Sequence, residues 1–190
     1  GIFPWMKMEY SPHFWCWFSP HPRMVLYPSE FKLSTSLQRV IKKKTFEVRV
    51  NHGFPQTMRE CSTTQRPEQE SSWIEDDMIH DYSLLHQQGI AHSIEAFLDG
   101  ERVGGLYGLA MGKVFFGESM FHKVSDASKV CFACLIDLAQ QHGIRMIDCQ
   151  VHTPHLASLG AREISRTEYL AGLKTLLDPL PSVVDWKAIS

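Results

Sequence analysis

Apolar and polar residues change their spacing several times along this 190-residue chain, and each change marks a predicted element. Prolines at 4, 12, 20, 22 and 28 fix φ and remove backbone donors. The Trp- and Phe-rich opening therefore reads as short strands and turns. A helix is predicted through SLQRVIKKK (36–44), capped by Ser34 or Thr35. Its last turn holds Lys42, Lys43 and Lys44, where cations offset the helix dipole. FEVRVN (46–51) alternates as a strand does, and the polar residues 60–72 predict a loop. The next helix starts near Ile74. Glu75, Asp76 and Asp77 suit its N-terminus, Ile74, Met78, Tyr82 and Leu85 form one apolar face, and Gly89 ends it.

The second half is richer in strands. AHSIEAFL (91–98) runs into Asp99-Gly100, a hairpin signal. RVGGLYGLA (102–110) leads to a turn at Met111-Gly112-Lys113, and VFFGESMF (114–121) follows. A helix is predicted over 126–142, capped by Ser125 or Asp126 and ended by Gly143. IRMIDCQV (144–151) starts apolar and ends polar, which predicts a buried strand whose C-terminal end opens on a site. Short helices around 155–159 and 168–177 complete the pattern. The order β-β-β-α-β predicts an α+β domain with one parallel crossover.

Composition narrows the classes. Hydrophobic residues make up 44% and charged residues 21%, as in a soluble globular protein with a core. A formal net charge of -2 gives no global attraction to nucleic acid, so such a partner needs a local patch. Arg39 with Lys42, Lys43 and Lys44 is the best one available. No apolar run approaches the roughly 20 residues that cross a bilayer, and no signal peptide is visible. The chain opens on Gly1 rather than Met, which reads as a trimmed start. Five cysteines at scattered spacing do not form a disulfide framework and fit a reducing cytoplasm. Cys131 and Cys134 fall inside a predicted helix, as small apolar residues do. Ten histidines, His152 and His155 included, complete no zinc spacing, so no metal is expected.

Candidate chemistry gathers at Asp148-Cys149-Gln150. Strand alternation puts Asp148 and Gln150 on one face and turns Cys149 away, which weighs against a Cys149 nucleophile. Glu118 lies on the preceding strand. Taken alone, Asp148 and Gln150 more often mark a solvated strand end, and Trp5 and Trp73 more often belong to a core.

The stretches VGGLYGLAMGKVFFGESMFHKVSDASKV and LIDLAQQHGIRMIDCQVHTPHLASLGAREISR resemble the leucyl/phenylalanyl-tRNA protein transferase family. The opening GIFPW, Trp73-Ile74 and AHSIE (91–95) extend the resemblance from Gly1 to about Leu177. It implies a small N-terminal domain, residues 1–60 with its start missing, packed on an N-acetyltransferase-like mixed-sheet domain of the acyl-CoA N-acyltransferase type, residues 61–190. The implied activity moves Leu, Phe or, less well, Met from aminoacyl-tRNA to the α-amino group of proteins beginning with Arg or Lys. The product is marked for degradation. A cytoplasmic monomer without cofactor is expected.

The resemblance also distributes roles. It assigns a proton-handling relay to Asp148 and Gln150. Because an amide is a poor base, the residues themselves favour a Gln150 that orients the amine or donates to an oxyanion. Glu118 would bind the cationic N-terminal residue of the acceptor. Trp5 and Trp73 would sandwich the terminal adenine. Leu106, Phe115, Phe132, Leu135 and Ile147 would line the amino-acid side-chain pocket, with Leu106 and Leu135 bearing on the Leu/Phe/Met ranking. Arg39 and Lys42 to Lys44 suit acceptor-stem phosphates.

Two other readings compete. An acyl-CoA N-acyltransferase would cradle a pyrophosphate on a glycine-bearing turn at a helix N-terminus. The matching turn, VSDASK (124–129), has no glycine, and Asp126 would repel phosphate. A non-catalytic tRNA- or peptide-binding module would need neither Asp148 nor Gln150.

Overall fold

The structure, a computed structural model, describes residues 2–8, 11–64, 74–177 and 186, with backbone alone at 4–8 and 11–15. Strands β1 (Phe3–Met8) and β2 (Ser11–Phe18) pair as an antiparallel ribbon. The remaining described strands form one seven-stranded sheet. They are β3 (Arg23–Leu26), β4 (Glu47–Val50), β5 (Ala91–Leu98), β6 (Glu101–Met111), β7 (Val114–His122), β8 (Met146–Gln150) and β9 (Arg162–Ile164). The order is β4-β5-β6-β7-β8-β3-β9. Every neighbouring pair is antiparallel except β7 and β8, which are parallel. Helix α4 (Ala127–Gln141) makes the crossover between them. The expected α+β mixed sheet with one parallel crossover is what forms.

Helices cover both faces because side chains alternate across the strands. Leu106, Phe115 and Ile147 join a core built against α4 and against α1 (Thr35–Lys42). Their chain neighbours Tyr107, Phe116 and Met146 enter clusters on the other face. There they meet α2 (Phe54–Ser62), α3 (Asp76–Gln87) and α6 (Arg166–Leu176). Helix α5 (Pro154–Ser158) follows β8. Gly104 lets α4 seat closely: a Cβ there would lie 2.6 Å from the Cβ of Ala127.

Most punctuation holds. Ser34 caps α1, its hydroxyl accepting from the Leu37 N–H at 3.2 Å. Asp99 and Gly100 turn the hairpin at φ 51° and 82°. Gly89 and Gly143 follow their helices at φ 73° and 72°.

Four features differ from expectation. A division at residue 60 does not separate the sheet, because β3 pairs with β8 and β4 pairs with β5. Chain order grouped the first 60 residues together, whereas long-range pairing spreads their strands across the sheet. Helix α2 was not anticipated, although Phe54, Thr57, Met58 and Cys61 are buried at helical spacing. It covers residues 60–62 of the expected loop, most of whose remainder lies outside the described residues. The short edge strand β9 was also not anticipated. Asp126 is the N-cap of α4, but at φ 69° it makes no side-chain cap bond. Its carboxylate instead accepts from Lys129 Nζ at 2.7 Å.

Candidate active site

The parallel ladder between β7 and β8 is short. Val114, Phe115 and Phe116 face Met146, Ile147 and Asp148, and there the pairing ends. Both strands continue, β7 to His122 and β8 to Gln150. A cavity of about 720 Å³ opens at this split. All five expected pocket residues, Leu106, Phe115, Phe132, Leu135 and Ile147, line it. So do Glu118, Asp148, Cys149 and Gln150. The five apolar residues are nearly or fully buried in the α4-side core. Trp186 supports them from behind, stacking on Phe115 at 5.3 Å and on His92 at 4.6 Å.

Two local irregularities place the polar groups. On β7, Gly117 faces Gly108 and Ser119 faces Tyr107, so Glu118 is the unpaired residue of a bulge. Bulges re-aim side chains that a regular ladder would hold in alternation. On β8, Gln150 takes φ 65°. That left-handed conformation costs a non-glycine residue on the order of 1 kcal/mol. Asp148 offsets it, because Oδ1 accepts the Gln150 N–H at 2.9 Å.

Asp148 is fully buried and heavily engaged. Arg23 Nε donates to Oδ1 at 2.8 Å and Arg23 Nη2 to Oδ2 at 2.7 Å. The Tyr169 hydroxyl also donates to Oδ2, at 2.7 Å. With Gln150, four donors converge on two oxygens. Arg23 is itself 0% exposed, and its guanidinium lies over the Tyr169 ring at 4.9 Å. Burial, then the Asp148 charge, push the Tyr169 phenol above its usual range, so it remains a donor. Sequence reasoning missed both Arg23 and Tyr169. The available signal was a lone charge in the otherwise apolar RMVL strand, since a buried arginine requires a partner.

Glu118 is 9% exposed. The Gln150 side-chain amide donates to its Oε2 at 3.4 Å, and the Tyr82 phenol of α3 is its electrostatic neighbour. Burial first, then the nearby Asp148 charge, raise the Glu118 carboxyl to about 7, against the Gln150 hydrogen bond and Arg23. Cys149 turns the other way, as alternation predicts. It packs against the apolar core, and burial pushes its thiol up.

The remaining candidates lie elsewhere. Arg39, Lys42, Lys43 and Lys44 are exposed together at the end of α1 and do not line the cavity. Trp5 belongs to β1, but its side chain lies outside the described residues, as does the whole of Trp73. The same strand reaches the cavity through Phe3, whose ring lies 5.8 Å from the Arg23 guanidinium. Among the described residues, no three or more His, Cys, Asp or Glu side chains group as metal ligands. No described helix is long and apolar enough to cross a membrane.

An apolar slot that ends in fixed donors and one carboxyl poised near neutrality is the equipment of a group-transfer enzyme. Known proteins specify the group. The family model described as leucyl/phenylalanyl-tRNA protein transferase matches residues 25–174. The transferase of that name from Nitrosospira multiformis is 49% identical over 186 residues, covering 98% of this chain and 78% of its own. That from Dechloromonas aromatica is 50% identical over 176 residues, covering 93% and 74%. Solved structures overlap more loosely. A GCN5-related N-acetyltransferase from Kribbella flavida superposes with a TM-score of 0.41 at 10% identity, over 76% of this chain and 55% of that one. The chain belongs to the leucyl/phenylalanyl-tRNA protein transferase family.

Proposed function

We propose that this chain moves Leu, Phe or, less well, Met from aminoacyl-tRNA onto the α-amino group of proteins that begin with Arg or Lys. The product would be marked for degradation, in the cytoplasm, by a monomeric enzyme. One observation beyond family membership carries the reading: the apolar slot ends at Glu118, Asp148 and Gln150. An amino-acid side chain in the slot would present its ester carbonyl to the polar end.

Aminolysis of that ester needs an oriented amine, a proton acceptor and stabilisation of an oxyanion. Gln150, whose backbone N–H is held by Asp148, suits orientation of the amine or donation to the oxyanion through its side-chain amide. Glu118 suits contact with the cationic end of the acceptor. Trp5 and Trp73 are proposed to stack the terminal adenine, and Arg39 with Lys42 to Lys44 to hold acceptor-stem phosphates. A slot selecting by shape separates side chains that differ by a methylene by only about 1–3 kcal/mol, so overlapping use of Leu, Phe and Met is expected.

The α4 turn does not favour the acyl-CoA reading. It has no glycine, and Lys129, its nearest cation, is already paired with Asp126. The deciding experiment incubates the chain with Phe-tRNA and a peptide beginning with Arg. Mass gain of one Phe on the peptide supports the proposal, and acetyl transfer from acetyl-CoA without Phe transfer refutes it.

A further inference from the structure

Resting on the aminoacyl-transfer reading, we infer that Glu118 takes the proton from the attacking α-amine, and that Asp148 is a positioning group kept out of proton transfer by Arg23 and Tyr169. The Asp148 oxygens accept from Arg23 Nε, Arg23 Nη2, the Tyr169 hydroxyl and the Gln150 N–H, at 2.7–2.9 Å. Those four donors occupy the acceptor positions that a carboxylate has. A fifth hydrogen would have to displace one of them, in a place that water does not reach. Gln150 is an amide and cannot act as the base.

Glu118 differs on each count. It lines the cavity, and among the described residues its one side-chain hydrogen bond comes from the Gln150 amide at 3.4 Å, a long contact. Acceptor capacity therefore remains for an incoming amine. Among the described residues, the titratable or charged groups acting on it are Tyr82 from α3, Asp148 from β8 and Arg23 from β3. Its poise near 7 lies close to the usual α-amine range of about 7.7–8.0, a good match for shuttling a proton. Other cavity groups fit less well. Cys149 packs against the apolar residues that line the slot, where burial pushes its thiol up and keeps it protonated. His155 has Lys129 and His122 as its electrostatic neighbours, not the Glu118 and Gln150 pair.

The step balances without a co-reactant. The neutral amine attacks the ester carbon, the C–N bond forms, and the carbonyl electron pair moves to oxygen. As it does so, the amine proton passes to the Glu118 carboxylate. Collapse restores the carbonyl and breaks the bond to the ribose oxygen, which takes the proton back from Glu118. An amide and a free hydroxyl leave, and the carboxylate is regenerated.

The test uses the full chain, an aminoacyl-adenosine donor and a peptide beginning with Arg, with both substrates varied. Glu118→Gln is expected to lower kcat by about 100-fold or more, a larger effect than the rise in acceptor KM from its lost contact with the cationic end. In Glu118→Ala, added formate is expected to restore part of the rate in a concentration-dependent way, while chloride at the same ionic strength does not. Thermal midpoints of both variants establish that they fold. A raised acceptor KM with kcat intact overturns the proposal and leaves Glu118 a binding group. Loss of rate in folded Glu118→Ala that formate does not restore also overturns it. A wild-type chain that transfers no amino acid overturns the aminoacyl-transfer reading itself and this proposal with it.

Discussion

Two glutamates on nearby strands of one sheet meet opposite fates. Glu95 on β5 is fully buried at the start of α2. It accepts from the His52 and Gly53 N–H groups at 3.4 and 3.3 Å, from the Thr57 hydroxyl at 3.1 Å and from the Ser93 hydroxyl at 2.6 Å. Its carboxyl group sits at the positive end of a helix with its acceptor positions filled. Glu118 is almost as buried, but among the described residues the one side chain that hydrogen-bonds to it is Gln150. Burial alone does not mark a reactive carboxyl. Acceptor capacity left unfilled inside a cavity does, and Asp148 belongs with Glu95 by that measure.

The comparison can be broken most severely at Asp148. Asp148→Ala leaves the Arg23 guanidinium buried without its counter-charge, and we expect a loss of about 3–5 kcal/mol in denaturant unfolding, together with most transfer activity. Cys149→Ala, one residue along, should leave the transfer rate nearly unchanged. A stable Asp148→Ala chain would show that the four-donor cluster holds little of the fold. Glu95→Gln replaces one acceptor oxygen with an amide NH2 that faces existing donors, and we expect it to cost roughly 1–3 kcal/mol in denaturant unfolding.

Glu118→Gln should do the opposite at one pH only. Burial raises this carboxyl from 4.5 to about 7, so between those values the folded chain holds a proton that the unfolded chain has lost. Stability therefore falls as pH rises through that window and stays reduced above it. The neutral variant escapes this loss and should unfold later than wild type at pH 8, by roughly 1–3 kcal/mol, and equally at pH 4. An equal change at both pH values would mean that packing, not charge, sets the difference. The smallest effect is expected far from the cavity. Neutralising Lys42, Lys43 and Lys44 should weaken whole tRNA and flatten its salt dependence, with aminoacyl-adenosine binding unmoved. An unchanged salt slope would make the patch a solvated helix end.

These contrasts also show what a chain reveals before it folds. The run from α3 to β8 was legible because spacing and punctuation agreed: the short strand-like run 91–98 stops at Asp99-Gly100, and helical spacing stops at Gly143. The cavity-lining positions and the Asp148 and Gln150 pair were legible as places. Their partners were not. Arg23 is 125 residues from Asp148, and no local pattern reports a pairing at that range. The Glu118 bulge left no mark either, because an extra residue looks like ordinary alternation until the neighbouring strand is known. Helix α2 escaped because its apolar face spans little more than two turns beside a polar stretch.

The seat of α4 on Gly104 reaches further than packing. Phe132 and Leu135 ride on that helix and face the slot from it, so the separation between α4 and β6 sets how wide the slot is. Any side chain at 104 would collide with Ala127 and lift the helix. On the proposed reading, the size of the amino-acid side chain that the slot admits is therefore partly written in a residue that never meets it.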